Sequence, residues 1–204
     1  MRKLVLAAVA ASAAFVATPS LAQDTYSTTA APAPATDTAT APDGTRAFGI
    51  EPYFGVRGGW EEFSKDSVPG APIGDKLNGS LVEGLVGVNV PLGPVFIGAE
   101  GNVAKGVSGD IDWQYGAAGR FGFRAGESGM IYGKVGYQWV NFDKRVDTTR
   151  DFHDVTYGIG FEVGPKEIGL GGITGNSGIR LRGEVSTFGW TNSFRPTLGV
   201  IAHF

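Results

Sequence analysis

The sequence contains no cysteine, so disulfide staples and thiol or zinc-thiolate chemistry are closed to it. Only two histidines are present, which makes chemical motifs scarce. Neither sign of charge dominates: 17 Lys and Arg stand against 20 Asp and Glu, with no basic patch and no run of like charge, so nucleic acid is set aside as a partner. Beyond the N-terminus no stretch approaches the ~18 apolar residues of a spanning helix. If the chain crosses a membrane, it does so as strands. What it has in excess is glycine, 33 of 204 residues against a usual ~7%, too much for a helical protein. With 42% hydrophobic residues and no Gly-X-Y period, collagen-like and wholly disordered chains are excluded as well.

Residues 1–22 read as a secretory signal: Arg2 and Lys3, an apolar run from Leu4 to Ala17, then Ser20-Leu21-Ala22 before Gln23. Its removal takes only Arg2 and Lys3 from the charge count, leaving 15 basic against 20 acidic residues, a net of 15 − 20 = −5. Residues 23–47, almost wholly Ala, Thr, Pro, Ser and Asp, predict a disordered periplasmic linker. The folded domain is then 48–204.

In that domain hydrophobicity alternates with period two in segments broken by Gly, Pro, Asn and Asp. The pattern predicts eight strands at 50–60, 80–90, 95–104, 111–123, 130–140, 152–163, 179–188 and 194–204. They average about eleven residues, which matches the ~9 to 11 of a tilted strand crossing a bilayer and exceeds the ~5 to 6 usual in soluble sheets. Parity alone fits a soluble lipocalin-like barrel equally well, because the two differ only in which set of residues faces in. Size discriminates: the polar set carries Gly98, Gly116, Gly122, Gly136, Gly158, Gly160 and Gly199, which suits a crowded interior. The expectation is an all-β, eight-stranded antiparallel transmembrane up-and-down barrel with the polar set in its lumen.

The lumenal charges nearly cancel. Arg57, Arg120, Lys134, Arg180, Arg182 and Arg195 face Glu51, Glu83, Glu100, Asp112, Asp154, Glu162 and Glu184, so the lumen is expected to be filled and internally paired. Depth along the strands pairs Arg57 with Glu83, Glu162 with Arg180 and Glu100 with Arg120. On the apolar parity Trp60, Trp113, Tyr115, Tyr137 and Trp139, with Phe194, fall near an outer rim. Phe121, Phe123, Phe161 and Phe204 fall near an inner rim, with aliphatics between, as the aromatic girdles of a spanning barrel require. Filling of a soluble core is the plainer alternative for these aromatics.

Ile131-Tyr132-Gly133-Lys134-Val135-Gly136-Tyr137, Tyr157-Gly158-Ile159-Gly160-Phe161-Glu162, Arg180-Leu181-Arg182-Gly183-Glu184 and the terminal Phe204 resemble the opacity-type, porin-like family of small outer-membrane β-barrels, over about 48–204. The resemblance implies a Gram-negative outer-membrane surface protein, surrounded by outer-membrane lipid and lipopolysaccharide. It also implies that Phe204, with Leu198, Val200 and Ala202 alternating before it, is the signal read by the barrel-assembly machinery. Pro196 and Ala202 are poorer apolar positions than that family prefers, and the 164–178 connection is long for the side on which it falls.

The remaining motifs are weak. His203 reads as a plain rim residue. His153, beside Asp151 and Asp154 with Ser186 on the next strand, has the residue types of a Ser/His lipid hydrolase, though a solvated loop histidine is the simpler reading. Asp143, Asp147, Asp151 and Asp154 match no calcium loop, and Gly169–Gly178 lacks the Gly-Lys-Ser/Thr ending of a phosphate loop. No catalytic, cofactor or metal residue is assigned. The expected role is structural or interactive at the cell surface, as in envelope integrity or adhesion, with an extracellular partner met through loops 61–79 and 141–151. A narrow passive channel is the alternative, and an outer-leaflet lipid hydrolase a third.

Overall fold

The computed structural model describes residues 50–64, 67–68, 77–125, 129–142, 152–164 and 178–204, which belong to one compact unit spanning Asp37–Phe204. The signal at 1–22 and the linker at 23–47 lie outside the described residues, as do 143–151 and 165–177. Eight strands follow in chain order: β1 (Glu51–Phe63), β2 (Asn78–Leu92), β3 (Val95–Gly109), β4 (Ile111–Ala125), β5 (Gly129–Phe142), β6 (Phe152–Val163), β7 (Ile179–Phe188) and β8 (Ser193–His203). Each pairs antiparallel with the next and β8 returns to β1, so the sheet closes on itself. Closure leaves no open edge. We call the end holding Glu51 and His203 the terminal end and its opposite the loop end.

The expected strands are all present, and β6 and β7 have the expected bounds. The largest difference is β3, which runs five residues beyond 104. Gly106 and Gly109 look like turn residues in the sequence, yet Lys105, Gly106 and Ser108 pair with Val82, Leu81 and Ser80 of β2. The turn is compressed into Gly109, at φ +90°, and Asp110. At the terminal end Gly93, at φ +75°, precedes Pro94, whose ring fixes a negative φ. That sign pattern is a type II′ hairpin, whose twist matches the strands it joins.

Register gives the shear. From Arg57 the pairing runs one way through Glu83, Ala104 and Gln114 to Val140. The other way it runs through Gly199, Arg182 and Glu162 to Met130. The two routes end ten residues apart on β5 (140 − 130 = 10), so the strands tilt by roughly 35 to 45° in the manner of closed barrels.

A Cβ on Gly87 or Gly160 would strike the inward ring of Tyr53 or Tyr132, whereas one on outward Gly84 meets nothing within 4 Å. One expected lumenal charge is displaced: the register slips between Ile111 and Trp113, and this bulge turns Ile111 inward. Asp112 pairs instead with Lys105 on the outer surface.

Candidate functional site

Inward positions from all eight strands meet in a lumen that is a column of charge. Arg57 and Glu83 are directly opposed in register and bond at 2.5 Å, while the other arm of Arg57 reaches Glu184 at 2.9 Å. Arg195 also bonds Glu83. Lys134 bonds Glu184 and lies 3.5 Å from Glu100. Arg182 bridges Glu100 at 2.5 Å and Glu162 at 2.6 Å, and Arg120 bonds Glu162 at 2.7 Å. Register rather than strand-end depth decides these partners: Arg182, not Arg180, faces Glu162. Arg180 stands 3.8 Å from Glu162 and 3.3 Å from Glu51, and Arg120 stands 3.8 Å from Glu100.

His203 is not a rim residue. As an odd position of β8 it turns inward and is buried, with Nε2 2.7 Å from Glu162 and Nδ1 3.2 Å from Glu51. Its ring stacks on Tyr53 at 5.2 Å. Tyr53 and Tyr132, two further members of the network, carry the aromatic signal on the polar parity. Tyr53 donates to Glu100 at 3.0 Å and Tyr132 to Glu184 at 2.8 Å, and the Arg120 guanidinium lies over the Tyr132 ring at 3.9 Å. Rings of this kind cover the apolar faces of guanidinium groups while their hydroxyls satisfy carboxylates.

Toward the loop end the column finishes in a polar layer. Gln114 donates to Glu61 at 2.5 Å, Gln138 to Gln114 at 3.0 Å and Ser193 to Glu61 at 2.7 Å. Beyond it the interior becomes apolar: Phe63, Val68, Leu77, Ile111, Val140, Phe142 and Phe188 form one buried cluster, with Phe152 packed against it. This differs from the wholly polar lumen expected from the sequence, because β1 and β5 continue past 60 and 140 and bring Phe63 and Phe142 inside.

The outer wall is the complement. Val56, Val86, Val135, Ile159, Val185, Leu198 and Val200 are exposed on it. Trp60, Trp113, Tyr115, Tyr137 and Trp139 stand in the loop-end halves of their strands, and Phe121, Phe123 and Phe161 in the terminal halves. Tyr115 stacks on Trp139 at 5.5 Å, and Tyr137 hydrogen-bonds His153 at 2.6 Å. At the closing seam, exposed Phe204 stacks on Phe54 at 5.5 Å. Its N–H donates to Pro52 O at 3.0 Å. Val200 and Leu198 continue the same outward row, and Ala202 is half-buried in it.

The chemical alternatives find little geometry. Ser186 points into the lumen and is buried, whereas His153 is on the outward parity of β6 and exposed, so the wall separates the pair a hydrolase would need. Asp143, Asp147, Asp151 and residues 169–177 lie outside the described residues, and among the described residues no group of three or more acidic or histidine side chains is placed to hold a metal ion.

No family model and no curated protein matches the chain. Among solved structures it is similar to Ail, the attachment invasion locus protein of Yersinia pestis, with 15% identity over 76% of this chain and 98% of that one at a TM-score of 0.46. It is also similar to Neisserial surface protein A, with 12% identity over 76% and 99% at 0.42. A designed transmembrane β-barrel gives 13% identity over 76% and 96% at 0.43.

Proposed function

We infer that this chain is a non-enzymatic β-barrel of the outer membrane with a structural or surface-interaction role. The observation that carries this reading is the inversion of the barrel: large apolar side chains cover its outside while arginines and glutamates fill its inside. Water would not stabilise such a surface; hydrocarbon would, and a closed barrel leaves no backbone group unpaired in it. The filled, ion-paired lumen and its apolar loop-end cluster support a wall rather than a passage. Lipid and lipopolysaccharide are the expected surroundings, loops 61–79 and 141–151 the expected contact with any extracellular partner, and the row ending in Phe204 the expected mark for the assembly machinery.

Depth-dependent substitution tests the membrane. Val135→Arg, on the mid-wall, should destabilise the folded barrel in lipid vesicles by roughly 2 to 4 kcal/mol, and Val107→Arg, exposed near the loop-end turn, by about 1 or less. Equal tolerance at both positions would overturn the reading. Lumenal glycines are no fair control, since a Cβ on Gly136 meets Ala118 and the Ala117 carbonyl. Steady conductance of the refolded protein in planar bilayers would replace the wall by the narrow channel.

A further inference from the structure

The β7–β8 turn holds three successive residues in left-handed backbone: Gly189 at φ +45°, Trp190 at +45° and Thr191 at +74°. Glycine adopts this freely, but in a β-branched threonine and a bulky tryptophan Cβ crowds the following carbonyl. Such strain persists where the surroundings over-determine it. Gly189 N–H donates to Val155 O at 2.8 Å, Asn192 N–H to Phe188 O at 2.9 Å, and Ser64 N–H to Asn192 O at 2.7 Å. These bonds from β6, β7 and the chain leaving β1 fix the turn from three sides.

What the turn displays is Trp190, 83% exposed, more than any other large apolar side chain among the described residues. Its ring lies 5.9 Å from that of Tyr157, an outward position of β6, so it is folded back along the wall rather than over the mouth. The loop-end rim supplies the second half of the argument. Outward aromatics come from β1, β4, β5 and β8, but the last outward residue of β7 is Thr187, opposite Tyr157. Trp190 covers that gap, at the level of Val155, which pairs with Tyr137.

We propose that Trp190 is an interfacial lipid anchor, whose indole the left-handed turn inserts at the boundary between head groups and acyl chains on the loop side. An apolar ring with one N–H donor suits that boundary. The proposal rests on the membrane-spanning reading above and adds a residue outside the strands to its contact surface.

Single-tryptophan variants test it in phosphatidylcholine vesicles carrying bromine near the carbonyl or near the methyl end of the acyl chain. With Trp60, Trp113 and Trp139 changed to Phe, Trp190 emission should be quenched more strongly by the shallow bromine than by the deep one. Its quenching by aqueous acrylamide should fall several-fold below that of free tryptophan. A companion variant keeping only Trp139 controls for the membrane. If Trp139 senses bromine and Trp190 instead responds to acrylamide alone, the anchor is overturned and Trp190 is left to a water-soluble partner. If neither senses bromine, the membrane reading itself falls. Should the triple substitution not fold, the loss of shallow-bromine quenching from wild type to Trp190→Phe gives the same readout, and no loss overturns the anchor.

Discussion

The two ends of the lumen are lined by the same inward parity of the same strands, yet their chemistry is opposite. From Glu51 to Glu61 the interior is dominated by Arg, Glu, Lys and Tyr in contact, with Leu85, Phe96, Met130 and Ile201 packed among them, while from Phe63 and Leu77 to Phe142 and Phe188 it is apolar. The exterior also changes, from Val and Phe over the middle to a mixture near the loop end, where Glu62 and Lys105 stand beside Phe194 and Trp113 and Asp112 pairs with Lys105. On the membrane reading proposed above, the surrounding solvent accounts for both. Where acyl chains surround the wall, an apolar residue gains little by turning inward, because lipid tails are as apolar as its neighbours would be. Only the polar residues have a strong preference, and they define the inside. Where water surrounds the wall the hydrophobic effect returns, and phenylalanines define the inside instead.

Urea unfolding in detergent or vesicles can break this comparison at several points. The largest effect is expected at the charged end: Glu162→Leu abandons Arg120, Arg182 and His203 without their shared acceptor and should cost about 3 to 5 kcal/mol. A loss below about 1 kcal/mol would mean that water reaches the column. At the apolar end Phe63→Ala should cost about 3 to 5 kcal/mol, and added salt should not change it. A double-mutant cycle on Arg57 and Glu83 should give a coupling within about 0.5 to 3 kcal/mol, and additive losses would refute a closed pair. The smallest effect belongs to the outer surface. Lys105 and Asp112 are 46% and 36% exposed, so Lys105→Ala should cost less than about 1 kcal/mol, and high salt should erase the difference.

Much of the barrel was legible because period-two alternation survives any tilt or shear. Arg57 and Glu83 are legible as a pair because both lie on one hairpin and face each other in its register. Counting from strand ends pairs Glu162 with Arg180, which stands 3.8 Å away, but misses its register partner Arg182, because the sequence of a fifteen-residue connection does not fix the register across it. Parity alone places Asp112 inside, because the bulge between Ile111 and Trp113 inverts parity without a mark in the sequence stronger than Gly109. Tyr53, Tyr132 and His203 carried their signal openly, as rings on the polar parity, and were legible in principle. The apolar cluster is not, since it depends on β1 and β5 continuing past 60 and 140 to Phe63 and Phe142, which alternation alone does not fix.

The seam between β1 and β8 has a kinetic consequence. Arg57 and Gly199 are 142 positions apart (199 − 57 = 142) yet paired, whereas β2–β3 and β3–β4 are joined by turns of one or two residues and can zip locally. The entropy of closing so distant a contact should make the seam the slow step of folding. Glu51 with His203, Tyr53 on His203 and Phe54 on Phe204 all cross it and can form only when it shuts. Contacts absent until the last moment of folding are the ones that slow the reverse reaction, so the barrel, once closed, should persist through a high barrier to opening even where its equilibrium stability is modest.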